Sequence, residues 1–128
     1  MEKKPVFYLC EKCKNLAGMI FYSGAAMTCC GEEMDELEAN TADASAEKHV
    51  PVAVAAGNNV SVKVGSVLHP MVKEHLVEWV FLQTENGGQR KLLAAGSSPE
   101  VEFSLAGDKA LAAYAYCNIH GLWKADVK

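Results

Sequence analysis

The distribution of cysteines most strongly constrains what this chain can fold into. Of five cysteines, four lie within the first 30 residues and the fifth stands alone near the other end. The first four are Cys10, Cys13, Cys29 and Cys30. In a reducing compartment, cysteines at such close spacing are more often metal ligands or redox groups than structural disulfides. The sequence therefore predicts a short N-terminal segment that folds around a metal ion instead of a hydrophobic core.

The length and a change in composition predict two domains. A chain of 128 residues can hold one domain of about 90 residues and a small appendage. Residues 35–46 are polar and alanine-rich and lack an apolar period, which is typical of a linker. We predict an N-terminal metal-binding domain over residues 1–37, a linker over 38–46 and a second domain over 47–128.

The second domain has the pattern of an antiparallel β-sandwich. Apolar residues alternate with polar or small ones, a period of two that indicates half-buried strands. The alternating sets are Val50, Val52 and Val54; Val60, Val62 and Val64; Val77, Trp79 and Phe81; and Val101, Phe103 and Leu105. Glycine- and asparagine-rich turns separate them, and residues 110–115 are interpreted as a further strand that leads into a loop at Cys117. The result is about seven short strands, with no convincing amphipathic helix.

Charge and hydropathy exclude some classes of function. The net charge is −4 and the 12 basic residues are scattered, so the cationic surface of a nucleic-acid-binding protein is missing. No signal peptide and no apolar run near the roughly 18 residues of a membrane span is present. We therefore expect a cytoplasmic protein without nucleic-acid or membrane partners.

The four N-terminal cysteines predict a closed metal site. The pattern Cys10-x2-Cys13, followed by Cys29-Cys30, supplies four soft ligands that suit tetrahedral iron or zinc. The adjacent Cys29 and Cys30 must splay their side chains, which should distort the tetrahedron. The spacing does not separate zinc from iron, and a pair of disulfides is a third possibility.

The remaining cysteine and the histidines predict a second, different site. Cys117 lies three residues before His120, and the other histidines are His49, His69 and His75. A single histidine is usually an ordinary surface residue, but four of four at strand edges or in loops beside a lone cysteine are hard to assign to chance. A blue-copper site needs an axial ligand such as methionine, and the motif continues Gly121-Leu122-Trp123 instead. Four imidazoles and an axial thiolate suit five-coordinate iron, with one position open to a small ligand.

Taken together, these motifs resemble the desulfoferrodoxins, the two-iron class of superoxide reductases. The motifs are Cys10-x2-Cys13, Cys29-Cys30, Glu47-Lys48-His49-Val50-Pro51, His69-Pro70-Met71, His75 and Cys117-Asn118-Ile119-His120-Gly121-x-Trp123. The match spans nearly the whole chain and includes every ligand position. One small departure is Lys14, where a glycine commonly follows the second cysteine.

The resemblance implies a fold, two cofactors and an activity. The fold is all-β, with a small desulforedoxin- or rubredoxin-like domain before an immunoglobulin- or fibronectin-III-like sandwich. Each chain would hold two iron ions, one with Cys10, Cys13, Cys29 and Cys30 and one with His49, His69, His75, Cys117 and His120. The activity is the one-electron reduction of superoxide to hydrogen peroxide at the second iron, which detoxifies superoxide in an anaerobe or microaerophile, while the first iron relays or stores an electron.

The resemblance also implies roles for residues and partners. Lys48 would steer the anionic substrate, and Glu47 would bind the ferric ion once peroxide has left. Backbone N–H groups of Ile119 and His120 are hypothesised to temper electron donation by the Cys117 sulfur. A rubredoxin-like electron donor and a homodimer are further expectations.

Two other functional classes remain open at this stage. The chain could be a noncatalytic electron-transfer protein with two iron centres. It could also be a zinc-knuckle adaptor on an immunoglobulin-like sandwich that binds another protein.

Overall fold

The computed structural model describes residues 4–128 and divides the chain into two compact units. The first unit extends to Glu38 and the second comprises Ala39–Lys128. Twelve strands and one short helix form the regular structure of the described residues. The prediction of an all-β fold is therefore confirmed. Within residues 4–128, no helix combines the length and the apolar character that a membrane crossing requires.

The first unit consists of very short strands. They are β1 (Phe7–Leu9), β2 (Leu16–Gly18), β3 (Thr28–Cys29), β4 (Glu32–Glu33) and β5 (Asp35–Glu36). Strand β1 lies between β2 and β5 in one antiparallel sheet, and β3 pairs with β4 in a hairpin. Among residues 4–38 the buried apolar side chains are few, namely Val6, Phe7, Tyr8 and Cys10. So small a core needs additional stabilisation, which a bound metal ion can provide.

The turn between β3 and β4 explains how two adjacent cysteines can serve one site. Its two residues, Cys30 and Gly31, both have positive φ, 53° and 78°. Two-residue hairpin turns with positive φ at both positions match the natural twist of the paired strands. Cys29 ends β3 while Cys30 lies in the turn, so their Cβ atoms leave the backbone in different directions.

The second unit is a sandwich of two antiparallel sheets. Its strands are β6 (Pro51–Ala56), β7 (Asn59–Val64), β8 (Val77–Thr84), β9 (Gly87–Leu92), β10 (Glu100–Ser104), β11 (Ala110–Cys117) and β12 (Gly121–Asp126). One sheet has the order β10-β7-β6 and the other β12-β11-β8-β9. The core between them includes Val60, Val62, Val64, Val80, Leu82, Phe103, Ala113 and Ala115. The expectation of about seven strands holds for this unit.

A β-bulge in β8 changes which side chains of this strand face the core. Cys117 pairs with Val77 and Tyr116 pairs with Trp79, so Glu78 is an extra residue on β8. Beyond the bulge, Val80 and Leu82 point into the core. The prediction that Val77, Trp79 and Phe81 share one face was wrong, because a bulge shifts the period of two by one residue.

Trp79 and Phe81 form an aromatic layer on the face of the sheet opposite the core. Trp79 stacks on Tyr116 with ring centroids 5.6 Å apart, and Phe81 meets Tyr114 edge to face at 6.3 Å. Aromatic cross-strand pairs of this kind stabilise neighbouring strands. They fix the register of β8 and β11 next to the bulge.

A single helical turn, α1 (Ala46–His49), precedes the first strand of the sandwich. The sequence did not predict it, since four residues are too few to show a helical period. The turn ends where Val50 adopts an extended conformation (φ −69°, ψ 120°), as expected of a residue before proline. Glu47, Lys48 and His49 are therefore presented by a helical turn and not by an open loop.

The segment before α1 is attached to the sandwich by Asn40. Its N–H donates to the Leu122 carbonyl oxygen (2.9 Å), and its side-chain oxygen accepts from the Lys124 N–H (2.9 Å). Its side-chain N–H donates to the Lys124 carbonyl oxygen (3.2 Å). Asn40 lies inside the predicted linker, so this part of the stretch is fixed to strand β12.

Gly65 allows the backbone to pass close to α1. A Cβ atom at this position would lie 2.7 Å from the Lys48 carbonyl carbon and 2.9 Å from the Lys48 Cα, and it would also overlap the Glu47 carbonyl oxygen. These are backbone atoms, which cannot turn aside as a flexible side chain can. We therefore expect Gly65→Ala to lower the free energy of unfolding of the second unit by about 1–3 kcal/mol.

Tryptophan fluorescence during urea unfolding measures this change selectively. Both tryptophans, Trp79 and Trp123, belong to the second unit. Gly18→Ala is a control, because its Cβ would lie 3.4 Å from the Phe7 ring in the first unit. An unchanged fluorescence midpoint in Gly65→Ala would contradict the expected overlap.

Candidate metal centres

The four N-terminal sulfurs converge in the first unit. Cys10 and Cys13 lie after β1, and Cys29 and Cys30 lie at the β3–β4 turn. The four sulfurs all lie within 4.8 Å of one another. The Cys13–Cys29 and Cys29–Cys30 sulfur distances are 3.6 and 3.9 Å. Sulfurs about 2.3 Å from one tetrahedral ion are separated by about 3.8 Å, so the spacing fits a bound metal.

The same distances argue against disulfides. A disulfide bond is about 2.05 Å long, and all five cysteines are free thiols in this structure. The disulfide alternative is therefore not supported. Zinc and iron both suit four thiolates, and the distances do not distinguish between them.

Hydrogen bonding prepares the thiols unequally for metal binding. The Cys13 N–H donates to the Cys10 sulfur (3.5 Å). This bond and a second hydrogen bond from the Lys12 N–H lower the pKa of Cys10 to about 7, although burial acts in the opposite direction. Side-chain hydrogen bonds to Cys13 and Cys29 raise the pKa of Cys30 to about 12. Four thiolates this close repel one another, so their joint ionisation requires a cation.

Lys14, a departure from the motif that the resemblance implies, has a conformational explanation. Its φ is +66°, a left-handed conformation that glycine adopts without strain. The Lys14 N–H closes the turn by donating to the Cys10 carbonyl oxygen (2.8 Å), and the Lys14 ammonium pairs with Glu11 (3.0 Å). The lysine keeps the turn, and no ligand is displaced.

The second unit gathers all five residues predicted for the other site. They come from four places in the chain: His49 from the end of α1, His69 and His75 from the β7–β8 connection, Cys117 from the end of β11 and His120 from the β11–β12 turn. Ligand atoms of His49, His69, His75 and Cys117 all lie within 4.8 Å of one another. His120 Nδ1 lies 3.1 Å from His49 Nε2 and 3.9 Å from the Cys117 sulfur. We call these five residues the histidine–cysteine cluster.

Backbone carbonyls fix the tautomers of two of these histidines. His49 Nδ1 lies 2.7 Å from the Ser45 carbonyl oxygen, and His69 Nδ1 lies 2.7 Å from the Pro70 carbonyl oxygen. A carbonyl oxygen only accepts, so each Nδ1 carries the hydrogen and each neutral ring keeps a lone pair on Nε2. These two Nε2 atoms face each other at 3.2 Å. Facing lone pairs repel unless a cation lies between them.

Burial favours the neutral form of three imidazoles in the cluster. It lowers the pKa of His69 to about 4 and also lowers the pKa of His49 and His75. Only a neutral imidazole can bind a metal. His75 Nε2 is buried and has no hydrogen-bond partner among the described residues, although a buried polar atom normally has one. The cluster therefore offers neutral nitrogen donors, and one of them, His75 Nε2, has no hydrogen-bond partner among the described residues.

The distances within the cluster fit ligands of one ion. Two nitrogens about 2.1 Å from a metal and at right angles to each other are about 3 Å apart. The observed separations are 3.1 Å for His49–His120 and 3.2 Å for His49–His69. Four imidazole nitrogens and one thiolate suit a borderline-soft ion such as iron. The donor set, the spacing and the unpartnered His75 nitrogen therefore all fit a metal.

Trp123 supports two members of the cluster at once. Its ring stacks on His49 with centroids 4.9 Å apart and an interplanar angle of 28°. Its indole N–H donates to the His120 carbonyl oxygen (3.1 Å). The sequence showed Trp123 only as part of a motif, because no spacing rule reveals a contact with a histidine 74 positions away. Trp123 is the main supporting residue that was missed.

Glu47 and Lys48 are both exposed on α1, but only Lys48 has an electrostatic effect on the histidines of the cluster. The positive charge of Lys48 is among the causes that lower the pKa of His49 and His75, after burial and neighbouring histidines. Lys48 is therefore close enough for its field to act at the cluster. The Glu47 carboxylate does not belong to either group of potential ligands found within residues 4–128. Its backbone carbonyl oxygen instead accepts hydrogen bonds from Ser66 and Val67.

Comparison with known proteins gives consistent similarities. A family model described as Desulfoferrodoxin matches residues 41–126. The chain is 42% identical to a desulfoferrodoxin homologue of Archaeoglobus fulgidus, over 92% of this chain and 94% of the relative. It is 41% identical to a desulfoferrodoxin of Nitratidesulfovibrio vulgaris, over 93% and 94% of the two chains.

Solved structures give the same similarity. The crystal structure of the superoxide reductase from Treponema pallidum superposes with a TM-score of 0.82 at 41% identity, covering 96% of this chain and 99% of that one. A one-iron superoxide reductase from Giardia intestinalis superposes with a TM-score of 0.52 at 30% identity and covers 62% of this chain.

Trp123→Phe should separate the two contacts of this residue. Phenylalanine keeps an aromatic ring against His49 but leaves the His120 carbonyl oxygen without its donor. We expect a loss of about 1 kcal/mol in unfolding free energy and faster loss of metal from the histidine–cysteine cluster. Urea unfolding followed by Trp79 fluorescence, and metal release to a chelator, measure the two effects. If neither quantity changes, the indole hydrogen bond contributes nothing to the site.

Proposed function

Because this chain belongs to the desulfoferrodoxin family, we propose that it is a superoxide reductase that converts superoxide to hydrogen peroxide at an iron ion in the histidine–cysteine cluster. The observation that carries the proposal is the close grouping of ligand atoms from His49, His69, His75 and Cys117, all within 4.8 Å of one another, with the His75 nitrogen otherwise unpartnered. The fourth imidazole, that of His120, lies 3.1 Å from His49. The reaction consumes one superoxide, one electron and two protons and yields one hydrogen peroxide. When bound in this cluster, iron supplies the electron and a coordination position for the substrate.

The burial of the ligands supports one direction of approach for the substrate. Cys117 is 2% exposed and lies at the end of a core strand. His75 and His120 are half-buried, and Leu68 and Ile119, which flank ligands in sequence, are exposed. The sulfur therefore reaches the cluster from the core, and superoxide would approach from the opposite, solvated side. That side also supplies water as the source of both protons.

The residues of the chain have separate tasks in this proposal. Neutral His49, His69, His75 and His120 bind the ion without adding charge. The Cys117 thiolate would hold the ion from the buried side and supply it with negative charge and electron density. The Lys48 ammonium on the exposed side attracts the superoxide anion. Glu47 would hold the ion once the product has left, which would require its side chain to turn towards the cluster.

The tetrathiolate centre has a different proposed role. Four protein ligands close the coordination sphere, so this centre can pass or store an electron but does not bind substrate. We propose a second iron here, within an N-terminal domain of residues 1–37 that a linker at 38–46 joins to the catalytic domain at 47–128.

The same family membership supports proposals for the partners and the cellular location. We propose a rubredoxin-like electron donor, a homodimer and a role in detoxifying superoxide. A cytoplasmic location is supported by the four neighbouring thiols of the first site, since an oxidising compartment would convert neighbouring free thiols to disulfides.

Superoxide stoichiometry tests the proposed function. Protein with two irons per chain is reduced and mixed with superoxide in a stopped-flow instrument. A reductase consumes superoxide rapidly and forms one hydrogen peroxide per superoxide without releasing oxygen. A dismutase would form half as much peroxide together with oxygen, and a noncatalytic electron carrier would leave superoxide to decay at the rate of the buffer. Either of these results would contradict the proposal.

Lys48→Ala should slow the bimolecular reaction with superoxide. Removal of one nearby positive charge is expected to reduce the rate constant by roughly threefold to tenfold at low ionic strength and to weaken its salt dependence. Lys109→Ala is the matched control, because it removes the same charge from an exposed position on the sandwich. Equal rate constants for the two variants at low salt would refute a steering role for Lys48.

Cys13→Ser should separate the two metal centres. The exposed Cys13 sulfur lies 3.6 Å from that of Cys29, and its loss is expected to release the tetrathiolate ion. Superoxide reduction should remain when the other iron is reduced directly. Cys117→Ser is the reciprocal variant, which should keep the tetrathiolate ion and lose the reaction. Metal analysis with stopped-flow kinetics measures both, and loss of activity in Cys13→Ser with the second iron retained would exclude a relay role.

A further inference from the structure

The side chain of Asn118 bridges the two peptide groups that flank His75. Its Nδ2 donates to the Glu74 carbonyl oxygen (3.0 Å), and its Oδ1 accepts from the Leu76 N–H (3.0 Å). The Asn118 backbone N–H adds a third bond, to the Leu76 carbonyl oxygen (3.2 Å). One carboxamide thus pairs with the chain on both sides of a cluster histidine, as a peptide group of a neighbouring strand would.

The backbone of His75 itself is held from a different direction. Its N–H donates to the Val72 carbonyl oxygen (3.0 Å), and its carbonyl oxygen accepts from the Val72 N–H (3.1 Å). Val72 therefore occupies the hydrogen-bonding groups of His75, and Asn118 occupies those of its neighbours. The short segment is fixed along both edges, although it lies outside the sheets.

The position of Asn118 makes this bridge relevant to the metal. Asn118 follows Cys117 directly, and Cys117 is the last residue of β11. The regular pairing of β11 with β8 is interrupted at Tyr116 and Cys117 by the bulge. Beyond that interruption, the three hydrogen bonds of Asn118 connect the segment that contains Cys117 to the segment that contains His75.

We propose that Asn118 is a positioning residue, which holds the His75 imidazole at a fixed place relative to the Cys117 thiolate before metal binds. This inference rests on the proposed function, because it takes the histidine–cysteine cluster to be an iron site. Only a carboxamide of this length provides a donor and an acceptor side by side. An aspartate keeps the acceptor for Leu76 but turns an oxygen towards the Glu74 carbonyl oxygen. An alanine removes both bonds.

A positioning role differs from a general contribution to stability. Asn118 is exposed, so water can replace its hydrogen bonds when the protein unfolds, and their net contribution to the unfolding free energy is small. Groups that orient a metal ligand, however, typically change metal affinity by about 10–100-fold when they are removed. The proposal therefore predicts a large effect on metal retention with a small effect on unfolding.

The test compares Asn118→Ala and Asn118→Asp with Asn58→Ala in the full-length iron protein. Asn58 is the matched control, because its side chain also accepts from a backbone N–H across a loop, that of Gly107 (3.0 Å). Iron release from the histidine–cysteine cluster to a chelator is expected to be about tenfold faster in both Asn118 variants. Iron in the tetrathiolate centre of the same molecule is the internal reference and should be released at an unchanged rate.

Two further measurements do not depend on activity. The sulfur-to-iron charge-transfer absorption should shift in both Asn118 variants, because the thiolate and the imidazole lose their common support. In the metal-free protein, hydrogen exchange of the Leu76 amide should be roughly fivefold faster in Asn118→Ala. It should stay slow in Asn118→Asp, which keeps that acceptor.

The outcomes separate this inference from the proposed function. Release rates and absorption in both Asn118 variants within twofold of Asn58→Ala would overturn the positioning role, even if Leu76 exchange became faster. The proposed function fails separately, when the unaltered iron protein leaves superoxide to decay at the rate of the buffer, and the release rates of the variants are compared in the same way in that case. Retention of iron only at the tetrathiolate centre of the unaltered protein would overturn both. Asn118→Asp keeps the test decisive if Asn118→Ala does not fold.

Discussion

The repulsion between the facing lone pairs of His49 and His69 is the constraint on which the second unit depends. The two carbonyl groups that fix their tautomers leave two Nε2 atoms 3.2 Å apart with no hydrogen between them. Such an arrangement is unfavourable in the empty protein and becomes favourable around a cation. The Ser45 and Pro70 carbonyls therefore act like part of the metal site, although neither touches the ion.

The sandwich provides the rigidity that this arrangement needs. Cys117 ends a core strand, the bulge at Glu78 lies beside it, and stacked Trp79 and Tyr116 fix the register there. The histidines come from a helical turn and from connections between strands, where the backbone can adopt the required directions. Rigid strands thus supply the thiolate, and constrained loops supply the imidazoles. This division follows a general tendency of functional residues to lie on loops held by a scaffold.

Much of this structure could be predicted from the sequence, because the strongest patterns are those with a simple physical period or count. Alternating valines predicted the inward face of β7 correctly and the position of β6, although on β6 Ala53 is buried while Val54 is 49% exposed. The separation of four cysteines from one predicted two distinct clusters. The phase of β8 was wrong, since nothing in the order Val77-Glu78-Trp79 indicates that Glu78 is the extra residue of a bulge. Helix α1 was too short to produce a period. The contacts of Trp123 and Asn118 depend on which loops meet in three dimensions, and no local pattern encodes that.

The ligands of the second site come from distant parts of the sequence, so a metal ion bound to them would stabilise the folded sandwich. His49 and His120 are 71 positions apart and meet at 3.1 Å, so an ion held by both closes a long stretch of chain in the manner of a covalent cross-link. Such closure removes conformational freedom mainly from the unfolded chain. Unlike a disulfide, this link strengthens with the concentration of free metal. The supply of iron would then set the lifetime of the folded domain as well as the fraction of it that is loaded.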